Sequence, residues 1–546
     1  MPDINWREQI NEFDGLKHLY IYDNLESAVC MDEPNISYYT DEDDVKYNMH
    51  NYSKDYLTIT SLVNNNTIKF KAKSSDCLKT IQISIDNGQT WESKESSTAG
   101  VTLAILEENQ KLLIKGNNTS YAISNSVYNY FSSSGYFDIE GNISSLIYMD
   151  NFINQIELTE NYALSFLFYN CTKLKSAKNL ILPFTILSNN CYSNMFYSCT
   201  SLTNPPKLLA TILSEFCYSS MFSQCTALTK IPNLPAIILP KSCYQMMFYN
   251  CINITSINTF NGKELGISSC YQMFDNCSGL TTIPELNFTS ISKGSCQFMF
   301  QNCTSLQTIH KISCDTLADS CFSKMFFGCT GLTTINQLNF KVLAESCCGY
   351  MFQNCTSLTS VINISYEPKL VYYCFAHMFN GCTSLTSISL PACNILDNGV
   401  CSNMFINCTS LVNSPIQTLP ATTLANFCYA SMFSGCTSLI TTPQLPSTIL
   451  EMSCYSSMFK NCISLTTAPE LPATTLKQQC YDNMFYGCTN LNYIKCLATN
   501  ISASSCVSGW VTNVASNGTF IKAASMESWP TGNNGIPSGW TVQNAA

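Results

Sequence analysis

The sequence predicts an α/β solenoid: stacked turns with a parallel strand sheet on the concave side and short helical segments on the convex side, preceded by a small all-β domain. Three observations carry this. A phenylalanine recurs from Phe168, Phe196, Phe222 and Phe248 through to Phe459 and Phe485, thirteen copies, with most intervals at 26 residues. Each is followed three residues later by a cysteine, from Cys171 to Cys488. Before the repeats, short runs of alternating apolar and polar residues are separated by Asn, Gly and Ser. A fixed period of this length marks units too small to bury a core alone, which must stack on one another.

Residues 1–55 hold thirteen acids and four bases, a balance of −9 within the chain's −10. They read as an acidic attachment segment, with a strand over Leu16–Tyr22 and a solvated acidic loop or a calcium site at Asp41–Asp44. That spacing lacks the order of an EF-hand loop. Residues 56–150 change character. Tyr56–Thr60, Thr67–Ala72, Thr80–Ile85, Lys111–Lys115 and Gly135–Ile139 alternate with period two, and Asp86-Asn87-Gly88 is a turn signal, so the stretch reads as a small β-sandwich. Trp91 reads as a core or hairpin-packing residue.

Residues 151–506 are the solenoid, about thirteen turns. In Leu228-Thr-Lys-Ile-Pro-Asn-Leu234 the apolar spacing suits a short strand, ended by a proline that has no N–H to donate. Leu239, Cys243 and Met247 then follow at i, i+4 and i+8, which suits two helical turns with one stripe inward. Residues 507–546 break the period and gather Trp510, Phe520, Trp529 and Trp540, as a cap over the exposed end of a stack would.

Thirty-two cysteines suggest a disulfide scaffold until they are sorted. Thirteen follow the repeat Phe. Thirteen more form a second column from Cys191 and Cys217 to Cys480 and Cys506, leaving Cys30, Cys77, Cys314, Cys348, Cys393 and Cys496. One residue type at the repeat period means one equivalent slot per turn, and free Cys fills such a slot as a small hydrophobe. Stacked neighbours at the ~4.8 Å strand spacing would also lie within disulfide reach. The expectation is reduced, buried thiols.

The chain has a single arginine, Arg7, which argues against nucleic-acid recognition. No apolar run reaches the ~18 residues of a membrane span, and Met1-Pro-Asp-Ile-Asn-Trp-Arg7 does not read as a secretory leader. His18, His50, His310 and His377 are never paired at metal-ligand spacing, and Cys-x-x-Cys, phosphate-loop and nucleophile-elbow motifs are missing. The expectation is a non-enzymatic protein without cofactor or metal.

Met378-Phe-Asn-Gly-Cys382-Thr-Ser-Leu385-Thr-Ser-Ile388-Ser-Leu390-Pro391 resembles the BspA-like, Treponema-type leucine-rich repeat over roughly residues 160–506. Most other turns depart from it by one extra residue and an earlier Pro, as in Leu280-Thr-Thr-Ile283-Pro-Glu-Leu286. The resemblance implies a leucine-rich repeat fold and a surface protein that binds host proteins or other cells. Leu419-Pro-Ala-Thr-Thr-Leu424, its copy Leu471–Leu476 and the Ile536–Val542 ending are also similar to tail or fibre proteins of gut Bacteroidetes phages of the crAss-like group. That implies a virion component, with residues 1–55 docked on other virion proteins, assembly in the bacterial cytoplasm, a host-cell glycan or protein as ligand, and possible homo-oligomers. A bacterial cell-surface adhesin is the alternative. Where turns differ most on the outward strand face, Lys230, Asn233, Glu285, Gln307, Gln337 and Gln444 are the candidate ligand-binding residues.

Overall fold

A computed structural model of the chain describes residues 18–21, 28–31, 55–366, 369–388, 395–419 and 421–545. Asp41–Asp44 and residues 389–391 of the closest repeat lie outside these. The chain forms two compact units, Met1–Ile212 with Pro232–Ala236, and Leu213–Ile231 with Ile237–Ala546.

In the first unit, β1 (His18–Ile21) pairs antiparallel with β2 (Ala28–Met31). Two sheets follow, built from β3 (Leu57–Ser61), β4 (Asn66–Ala72), β5 (Thr80–Ser84), β6 (Glu92–Glu95), β7 (Val101–Leu106), β8 (Lys111–Lys115), β9 (Ala122–Ser124), β10 (Val127–Ser133), β11 (Phe137–Asn142) and β12 (Leu174–Ile181). One sheet runs β7-β4-β10-β9 and the other β12-β11-β3-β8-β5-β6. Period two shows in β4, whose residues alternate buried and half-buried. The Asp86–Gly88 turn joins β5 to β6, with Asn87 and Gly88 both left-handed, as a tight hairpin requires.

No linker separates these sheets from the repeats. β11 pairs in parallel with β12, which belongs to the first coil. Phe131 of β10 stacks on Phe168 at 5.5 Å, and Phe168 on Phe196 at 5.5 Å. A sandwich strand thus supplies the ring that an earlier coil would have supplied, and the first repeat core is covered.

The second unit is a solenoid of parallel coils whose repeats pair 25 to 28 residues apart, as in Thr475↔Asn500, Ile309↔Ile335, Val361↔Ile388 and Asn413↔Thr441. Phe222 to Phe485 form a column of near-parallel rings, from Phe222–Phe248 at 5.6 Å to Phe459–Phe485 at 5.9 Å. Proline decides strand length as expected. Lys230, followed by Ile231-Pro232, makes only a single bridge to Ser256, whereas Thr334–Val342, with Asn336 in the proline slot, is one nine-residue strand. At the C-terminal end the ladder Tyr493↔Thr519↔Thr541 adds two further rungs, and Trp510 stacks on Trp529 at 5.8 Å over the last Phe.

The helical backs are corrected. Among the described residues helix is confined to the short α1 (Ser145–Tyr148) and one 3-10 turn, Ser75–Cys77. The segment read as helix is instead a ribbon of turns with a left-handed residue every fourth position: 216, 220, 224 in one coil, 242, 246, 250 in the next. Its amides alternate in partner. Cys217, Ser219 and Met221 donate to the carbonyls of Ser214, Phe216 and Tyr218 in their own coil. Phe216, Tyr218 and Ser220 donate to Lys241, Cys243 and Gln245 in the next. Every second amide therefore closes a local turn while its neighbour joins coils, so the back is satisfied without a helix. An apolar residue at every fourth position fits both geometries, and that is why the spacing read as helical.

Candidate functional site

The cysteine columns are structural, as their one-per-turn spacing predicts. All thirty described cysteines are free and buried. In the column after the Phe, the thiols donate to the carbonyl of the Phe one coil earlier, as Cys199 Sγ does to Phe168 O at 3.1 Å, Cys303 to Phe274 at 3.2 Å and Cys488 to Phe459 at 2.9 Å. Cys171 does the same to Phe131 of β10 at 3.0 Å. That contact needs a proton on sulfur. Burial pushes Cys251, Cys329 and Cys382 up to about 12, so these thiols are neutral donors and poor nucleophiles. Among the described residues no cluster of three or more His, Cys, Asp or Glu is arranged to hold a metal ion, and no helix is long and apolar enough to cross a membrane.

The six polar candidates fall on three columns. Glu285 precedes Leu286, whose N–H donates to Lys311 O at 3.0 Å. Ile312 pairs with Leu338, and Gln337 with Asn363, so Glu285, Lys311, Gln337 and Asn363 hold one equivalent slot in successive coils. Gln444 stands in the same slot further on, beside Thr418, whose hydroxyl donates to Gln444 Oε1 at 3.2 Å. Glu470 and Lys495 extend it with an ion pair of 3.0 Å. Lys230 instead lies on the bridge Lys230↔Ser256↔Thr282. Gln307 belongs to a third column, where threonines tie coils together: Thr333 Oγ1 donates to Gln307 O, and Thr359 Oγ1 to Thr333 O. Asn233 is in the first unit, exposed between buried Pro232 and Leu234. All are exposed except Gln337, which is half-buried.

Sequence reasoning missed a group on the back of the coils. Phe298, Lys324, Tyr350 and His377 occupy the middle left-handed slot of four consecutive coils. Lys324 Nζ lies 5.3 Å from both the Phe298 and Tyr350 rings, and His377 stacks on Tyr350 at 4.3 Å. Burial holds the imidazole below its usual range. The available signal was a run of four bulky residues in a column that in most other coils holds Ser, Asn or Gln. Close by in the sequence, Asp275 is buried, with Gln272 Nε2 donating to Oδ2 at 2.8 Å, while Oδ1 has no partner. Burial pushes this carboxyl up to about 6.

A coil of this build has a known counterpart. The model for a BspA type leucine rich repeat region matches residues 193–327 and 426–515. These stretches are similar to BspA-type leucine-rich repeats. A second model, described as a Mycoplasma protein of unknown function, matches residues 268–392 and 322–444, over coils between those stretches and overlapping both. Among solved structures the chain is similar to a leucine rich cell surface protein from Faecalibacterium prausnitzii, at 19% identity and a TM-score of 0.31 over 66% of this chain and 90% of that one. It is also similar to an internalin from Listeria monocytogenes, at 16% identity and a TM-score of 0.17 over 61% and 81%. A third likeness is to TLR13 in a complex with ssRNA13, at 14% identity and a TM-score of 0.23 over 59% and 46%. At such TM-scores these likenesses carry no inference about this chain. Comparison with curated proteins gives no match.

Proposed function

We propose that the chain is a non-enzymatic recognition protein of a bacterial cell surface, whose BspA-type coils present polar strand residues to a glycan or protein on another cell. One observation carries the reading. The slot before each ladder leucine is outward, and its chemistry changes from coil to coil (Glu285, Lys311, Gln337, Asn363), while the neighbouring threonine column is occupied in bonding coil to coil. A position whose side chain varies along a rigid array, while backbone bonds hold the coils together, is where specificity can be written.

The match to BspA-type repeats favours the cell-surface reading over the phage reading, which keeps only the likeness of Leu419–Leu424, its copy and the Ile536–Val542 ending. The test is a variant carrying Glu285→Ala, Gln337→Ala and Gln444→Ala, with adhesion to target cells measured beside the melting temperature. Adhesion should fall about tenfold with the melting temperature within a few degrees of the parent, as expected of exposed substitutions. Unchanged adhesion would remove these columns from the binding face. Fractionation separates the alternatives, since recovery only in purified virions would overturn the cell-surface reading.

A further inference from the structure

The first unit carries a basic site that the acidic composition of the chain hides. Tyr136 sits immediately before β11, and its ring is 37% exposed. Because Phe137 pairs with Leu174, the first residue of β12, the residues on either side of it, Lys173 and Lys175, come to lie beside that ring. Lys173 Nζ is 4.9 Å and Lys175 Nζ 4.6 Å from its centroid. Neither ammonium has a carboxylate within ion-pair distance among the described residues, whereas Lys111 of β8 is paired with Glu140 at 2.7 Å. The nearest acid in the register is Asp138, opposite Ser176. Its Oδ1 is buried without a partner and burial raises its carboxyl; the Lys175 charge opposes that rise, but from beyond ion-pair distance.

Two like charges held at one ring are stabilised by the ring quadrupole, yet they repel each other. An anion placed between them removes that repulsion. Along the neighbouring strands lie the hydrogen-bonding side chains of Ser176, Asn179, Thr203 and Asn204, with Asp138 opposite Ser176 and Glu140 opposite Asn179. We propose that Tyr136, Lys173 and Lys175 form a binding site for an acidic saccharide, its carboxylate or sulfate held by the two ammonium groups and its ring edge against Tyr136. A half-exposed aromatic ring beside neutral donors suits a sugar better than an acidic peptide, which would need main-chain partners that this face has already used: Lys173 O accepts from Phe137 N–H, and Lys175 O from Thr203. The site is in the first unit and does not depend on the polar columns of the second.

The test is calorimetric or array binding of the full chain to a sulfated, uronate-containing tetrasaccharide, with a neutral tetrasaccharide and poly-glutamate as comparisons. The acidic saccharide should bind and the neutral one should not. Lys173→Gln and Lys175→Gln should each weaken binding about three- to fivefold, in line with single exposed ion pairs, and raised salt should weaken it further. Lys173→Arg with Lys175→Arg keeps both charges and should retain binding, which guards against misfolding of the Gln variants. Lys178→Gln, an exposed lysine on the same strand away from the ring, should leave binding unchanged. The proposal is overturned by absent binding, by an equal loss in Lys178→Gln, or by poly-glutamate binding as tightly as the saccharide. Loss here with intact cell adhesion, or the reverse, separates this site from the columns around Gln337.

Discussion

The residue before each Phe-x-x-Cys cysteine shows how one position obeys backbone geometry. It is Asn250, Asn276, Asn302, Gly328, Asn354, Gly381 and Asn407 in successive coils, all left-handed. Asn and Gly are the residues that adopt this conformation at least cost. The repeating Asn-Cys-Thr phrase is therefore a turn requirement, and its resemblance to a glycosylation triplet is incidental. Neighbours are coupled too: a Cβ on Gly381 would come within 2.4 Å of Asn354 Oδ1. Gly381→Ala should cost about 1–2 kcal/mol from the left-handed backbone and this clash, measured by the shift in thermal melting. The same change in an Asn354→Gly background should cost less, because only the backbone part remains. Equal costs in both backgrounds would remove the contact from the account.

At the scale of the element, the coil back is a ribbon of turns where the sequence suggested helix. Leu239, Cys243 and Met247 are buried in both readings, so hydrophobic spacing could not separate a four-residue turn repeat from a 3.6-residue helix. The recurrence of Asn and Gly every coil was the discriminating signal, legible only once the backbone is seen. The strands were read more directly, since proline against asparagine after Ile231 and Ile335 decides a single bridge against a nine-residue strand. The six polar candidates came from variability alone, which finds the outward face but not the columns within it. Tyr136 with its two lysines escaped because the ring lies 37 residues or more from either lysine in sequence.

The thiol ladder gives this element a pH signature. Unfolded thiols ionise near pH 8.5–9, whereas Cys251, Cys329, Cys382 and Cys488 stay protonated up to about 12. Above pH 9 the unfolded chain thus binds fewer protons than the folded one, and stability falls as pH rises. It is fully present below about pH 8. Each such thiol removes about 1.4 kcal/mol per pH unit across that window. With a column of them acting together, the coils should unfold cooperatively well below pH 12, followed by circular dichroism. A chain stable to pH 12 would contradict protonated, buried donors.

For the whole molecule, the claim on which the rest depends is that stacking, rather than covalent cross-linking, holds the coils: Phe on Phe, every second amide across to the next coil, and a thiol proton on each preceding carbonyl. The N-terminal sheets fit the same logic, because Phe131 of β10 takes the place of a coil ring and its carbonyl accepts Cys171 as the Phe carbonyls do. A solenoid so built varies its outward slots without disturbing its core. Counting alkylatable thiols after denaturation without reductant tests this most directly. The thirty buried free cysteines and the two outside the described residues lead to a count of at least thirty of the thirty-two. A count nearer half that number would mean cross-linked columns and would contradict the account.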